Sequence, residues 1–148
     1  MALTADGLKR VVLATFLGAP AIAFMSFDFM FPNLSTPSLD KSVLAVLLIS
    51  IVTGLPAGYL TRRIDLALLS VLSYTAAGYL IGLLMYSSPY LMYDIEILLP
   101  GLYYTAFIRY TVILVFIFAF GGFVGAVFGG LIRESVDREE TSLTWRER

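Results

Sequence analysis

Four long apolar runs in this chain contain no Asp, Glu, Lys or Arg: Val11 to Phe27, Val43 to Leu60, Leu66 to Met85 and Tyr110 to Ile132. Each is close to the ~20 residues a helix needs to cross the hydrocarbon core of a bilayer. In lipid every backbone polar group must be satisfied within the protein, and a helix does so inside one segment. The expectation is an all-α, polytopic integral membrane protein with four transmembrane helices. Their approximate limits are 9-31, 42-61, 65-86 and 107-134. An outer interfacial segment then covers 87-106 and a cytoplasmic tail covers 135-148, all within one membrane domain, 1-148.

The basic residues set the orientation. With four spans, the N-terminus, the second connection and the C-terminus share a side. That side carries Lys9, Arg10, Arg62, Arg63, Arg133, Arg138, Arg146 and Arg148, and the other carries only Lys41 and Arg109. Lys and Arg accumulate on cytoplasmic loops, so both termini are expected in the cytoplasm and the protein in the cell membrane. Lys9 and Arg10 ahead of an apolar stretch, with Ala21-Ile22-Ala23 after it, imitate a signal peptide. The first run is nonetheless expected to be retained as a helix.

What the chain lacks narrows its chemistry. It has no cysteine and no histidine, which removes disulfides, thiolate metal sites, Cys–His catalysis and His-ligated haem. A net charge of −1 is poor support for nucleic-acid binding, which needs a basic face. No ionisable group falls within a span, where such a group would point to an ion path or proton relay. The expectation is therefore no catalytic residue, no metal and no cofactor beyond structural lipids. Gln is absent and Asn occurs only at Asn33, a composition associated with thermophiles.

The densest local pattern is in the fourth run. Gly121, Gly125 and Gly129 repeat every four residues, and Gly122, Ala126 and Gly130 form an adjacent stripe. Small residues at this spacing let another helix backbone approach closely, and van der Waals contact then drives association. Weaker stripes are Ser50, Gly54 and Gly58 in helix two and Gly78 and Gly82 in helix three. These faces serve either packing within the bundle or docking of a neighbouring subunit. Two adjacent stripes can do both. Pro20 and Pro56 lie inside helices one and two and favour bends there. Ala57-Gly58-Tyr59-Leu60 recurs as Ala77-Gly78-Tyr79-Leu80, a weak hint of a duplicated hairpin.

The stretch from Tyr86 to Arg109 is rich in tyrosine, as expected at a headgroup interface. Ser88-Pro89 and Pro100-Gly101 read as turns, with a short interfacial helix over Pro89 to Leu99 between them. Tyr90, Tyr93, Asp94, Glu96, Tyr103, Tyr104 and Arg109 are its candidate contacts for a partner or lipid. Asp28, Asp40, Asp94 and Glu96 are expected to face solvent or headgroups near the outer surface. Asp65 is placed to cap helix three, and Ser38 or Asp40 to cap helix two.

Negative chemistry combined with abundant packing surface points to a non-catalytic accessory or structural subunit of a larger membrane complex. Its partners would be lipids and other membrane subunits, in a hetero-complex more than a homo-oligomer. The alternative is a small homo-oligomeric channel or transporter with helix four along the symmetry axis.

Overall fold

The computed structural model describes residues 5–30, 43–61, 63–93 and 100–146; within them, the side chains of 89–93, 100, 110 and 139–146 lie outside the description. The described residues form four helices: α1, Ala5–Met30; α2, Val43–Thr61; α3, Ile64–Tyr93; and α4, Pro100–Arg146. All four are long and apolar enough to cross a membrane. The expected caps of α2 at Ser38 or Asp40 fall outside the described residues, as do Asp94, Glu96 and Arg62.

The helices alternate in direction, so one end of the bundle is basic and the other is rich in tyrosine. The extensive contacts are α2 with α4 and α1 with α3, and the order round the bundle is α1, α3, α4, α2. Both extensive pairs are therefore parallel, joining helices that are not consecutive in sequence. Helices α2 and α3 lie across the diagonal, although only residues 62 and 63 separate them. The Thr61 hydroxyl, 2.7 Å from the Ala57 carbonyl and 3.3 Å from that of Arg63, holds this turn. Ala67 N–H donates to Arg63 O at 2.9 Å, which makes Arg63 the N-cap of α3. Asp65 sits one step inside, in the first turn. There it accepts from Leu66 N–H at 3.0 Å and pairs with Arg63 at 2.6 Å, where the helix dipole favours a carboxylate.

The helix limits differ from the expected ones at two places. Both neighbouring helices enter segment 87-106: α3 continues to Tyr93, and α4 starts at Pro100. Proline at 89 removes the N–H that the Met85 carbonyl would accept. The Ser88 hydroxyl donates to that carbonyl instead, at 2.8 Å, and the helix continues. Pro100 is the first residue of α4, a position where its missing N–H costs nothing. At the other end, α4 continues as helix to Arg146, past the expected limit at 134. Arg133 with Asp137 (3.7 Å) and Glu134 with Arg138 (2.6 Å) lie along this extension.

The repeated tetrapeptide does not mark equivalent places. Residues 57–60 end α2 and pack on α4, whereas 77–80 lie mid-helix in α3 and pack on α1. Both prolines lie within helices that run through them unbroken.

Candidate functional site

The small-residue faces meet each other. A Cβ built on Gly54 would overlap the backbone of Gly122, and one on Gly58 would overlap the Ala126 carbonyl oxygen. From the opposite side, Gly125 faces the Ile51 carbonyl, Gly129 the Leu55 carbonyl, and Gly121 the Ser50 hydroxyl. Thus α2 and α4 touch backbone to backbone over about two turns. From Gly54 to Gly58 their contact surface is dispersion largely between main-chain atoms, with the Ser50 side chain entering only at Gly121. Gly130 differs from the rest of the two stripes, with open space where a Cβ would go.

The α1–α3 pair packs differently. Gly18 lies under the Tyr74 ring, 2.7 Å from Cγ to a hypothetical Cβ. Gly78 faces Ala19 and Ile22, and Gly82 faces Ser26 and Ala23. Tyr74 is fully buried and crosses the bundle from Gly18 of α1 to Gly122 of α4, whose missing Cβ leaves room for the phenol oxygen. Its hydroxyl has no hydrogen-bond partner among the described residues, nor do those of Ser26, Thr75 and Thr15. Phe107 and Phe118 fill the remaining centre. Phe116, Phe120 and Phe128 point outward. Sequence reasoning does not find Gly18 and Tyr74, because a lone glycine and a tyrosine within a span carry no periodic signal.

At the tyrosine end, α3 and α4 are joined by an aromatic ladder. Tyr86 stacks on Tyr103 with ring centroids 4.3 Å apart, and the Tyr103 hydroxyl donates to the Tyr86 carbonyl at 2.6 Å. Tyr86 and Tyr79 both pack on Phe107, at 5.0 and 5.4 Å. Tyr79 OH and Thr111 Oγ1 share a hydrogen bond of 3.0 Å. Of the expected outer contacts, Tyr103 is therefore half-buried and engaged within the chain. Tyr104 sits edge-on beside it at 5.8 Å, and Arg109 is exposed. The side chains of Tyr90 and Tyr93 lie outside the description. Asp28, expected to face headgroups, is buried, with 4% of its surface exposed. It lies on the α1 face that carries Met25 and Ser26 into the bundle.

The basic end holds a feature that sequence reasoning missed. A helix leaves its last carbonyls without donors. In α2 two arginines from other helices supply them. Arg10 of α1 donates through Nη1 to Leu60 O at 3.2 Å, and Arg133 of α4 donates through Nη1 to Tyr59 O at 2.6 Å. The Arg133 guanidinium also lies over the Tyr59 ring, 5.3 Å from its centre. Two cations thus meet the negative end of the α2 dipole and tie three helices together. Each of these arginines abuts an apolar run whose neighbour ends at the same depth, and that coincidence was the available signal.

No family model, no curated protein and no solved structure matches this chain.

Proposed function

We propose that the protein is a non-catalytic accessory subunit of a larger membrane complex, anchored by its bundle and docking a partner through the end of α4. The observation that carries this reading is the length of α4. At 47 residues and ~1.5 Å per residue it reaches about 70 Å, against about 30 Å of hydrocarbon. Beyond Ile132, at the basic end, it goes on as helix to Arg146. Glu134, Ser135, Val136, Asp137 and Arg138 are all exposed. A charged helix that leaves the membrane with residues 134–138 exposed is the form of a bridge to another subunit. With the positive-inside orientation this arm is cytoplasmic, in the cell membrane.

Four of the hydroxyls, those of Ser50, Thr53, Ser70 and Thr111, each donate to a carbonyl three or four residues back in their own helix, as in helix packing. Gly121, Gly125 and Gly129 lie against α2, which favours the accessory reading over the channel alternative. That face is not free to line a symmetric axis.

The test is extraction of the tagged protein from its own membranes in a mild detergent, with and without residues 134–148. Stoichiometric co-migration of other chains, lost on truncation while the bundle remains inserted, is the expected result. Migration at a defined multiple of its own mass, with no other chain, would sink the reading.

A further inference from the structure

Below the two arginines runs an apolar groove. It is lined by Leu17 of α1, by Val52, Pro56, Tyr59 and Leu60 of α2, and by Ile132 of α4, and encloses about 470 Å³. That volume lies in the range of small-molecule pockets, about 300–1,000 Å³. It is well short of the room for a packed helix about 10–12 Å across. Its walls present almost no polar surface. Arg10 and Arg133 hydrogen-bond to the carbonyls of Leu60 and Tyr59, two residues of the groove wall.

Each guanidinium carries five N–H donors, and one hydrogen bond on each accounts for its hold on α2. Arg133 Nε is buried, with no hydrogen bond among the described residues, and pairs with the Asp137 carboxylate at 3.7 Å, which leaves the Nη groups as its donors to a ligand. Lys9 is exposed beside Arg10. The site thus joins a hydrocarbon-lined slot at bilayer depth to a pair of cations at the end of a membrane helix. Cations at that level attract anionic headgroups, and a rigid fork suits a phosphate better than a point charge does.

We propose that this groove is a binding site for one anionic phospholipid, with an acyl chain along Leu17, Val52 and Pro56 and the phosphate between Arg10 and Arg133. The site stands independently of the accessory-subunit reading, since it needs neither the α4 arm nor a partner chain.

The experiment is a lipid titration of the delipidated, purified protein by native mass spectrometry. The probes are phosphatidylglycerol and phosphatidylcholine with the same acyl chains, and inorganic phosphate as competitor. The wild type should bind phosphatidylglycerol about tenfold more tightly than phosphatidylcholine, and inorganic phosphate should not displace it. Arg10→Gln with Arg133→Gln should bring the preference to within about twofold. Leu17→Trp keeps both arginines and fills the slot. It should weaken both lipids by roughly the same factor, about tenfold. If the arginine variant does not fold, Leu17→Trp alone carries the test. Equal affinity for the two lipids, unchanged binding in Leu17→Trp, or displacement by inorganic phosphate would each overturn the proposal.

Discussion

The two parallel pairs of this bundle use similar small-residue spacing to opposite ends. In α2–α4 the glycines bring two backbones into contact, and the carbonyls of Ile51, Leu55 and Ala126 occupy the space a Cβ would need. In α1–α3 side chains take more of that space, the Tyr74 ring over Gly18 and Ser26 against Gly82, and Gly78 alone meets a carbonyl, that of Ala19, together with Ile22. Side chains can rotate a few tenths of an ångström out of the way, whereas a helical carbonyl is held by its own ladder. The first interface should thus fail abruptly on enlargement and the second gradually.

The sharpest way to break that contrast is Gly58→Ala. The added methyl meets the Ala126 carbonyl, so α2 and α4 must separate along their whole contact, with an expected loss of about 3 kcal/mol or more. Denaturation of the detergent-solubilised protein by a stronger surfactant measures it, with Gly125→Ala as a second probe of the same surface. Equal tolerance of alanine in both pairs would erase the distinction. Gly18→Ala should cost less, about 1–3 kcal/mol, because the obstacle is a ring. Gly82→Ala, 3.1 Å from Ser26 Cβ, should cost less than either.

Tyr74→Phe tests whether the middle of the bundle is dry. Its hydroxyl is buried without a partner among the described residues, and removing such a group should raise stability by about 1 kcal/mol or more. A fall in thermal midpoint would mean that something polar occupies the space beside Gly122. The smallest effect belongs to Gly130→Ala, where nothing stands within 4 Å. Replacing an unconstrained helical glycine should stabilise by up to about 1 kcal/mol. A clear loss of co-migrating chains with stability intact would identify Gly130 as a contact with a neighbour.

Much of the fold was legible because hydropathy reports one thing well: which stretches are long and apolar enough for lipid. The stripes at Gly54, Gly58, Gly121, Gly125 and Gly129 were also visible. Which stripe meets which was not, since any small face fits any other and only three-dimensional order assigns partners. Helix limits at the tyrosine end were misjudged for a local reason. Pro89 and Pro100 signal a break in sequence, yet the Ser88 hydroxyl repairs the first and the second begins a helix. The arginine caps on α2 depend on residues 50 and 74 positions away along the chain, beyond the reach of any windowed pattern.

The pairing of alternate helices also sets a timetable for assembly. The surface of α2 around Gly58 has no mate until the stretch around Ala126 has been synthesised, with all of α3 made between them. At about 5–20 residues per second that interval is on the order of several seconds. For that time α2 sits in the bilayer with its closest-fitting face open to lipid, or to whatever insertion machinery shelters it. Slowing synthesis within α3 should lengthen the vulnerable period, and a codon change there would alter yield without altering a single residue.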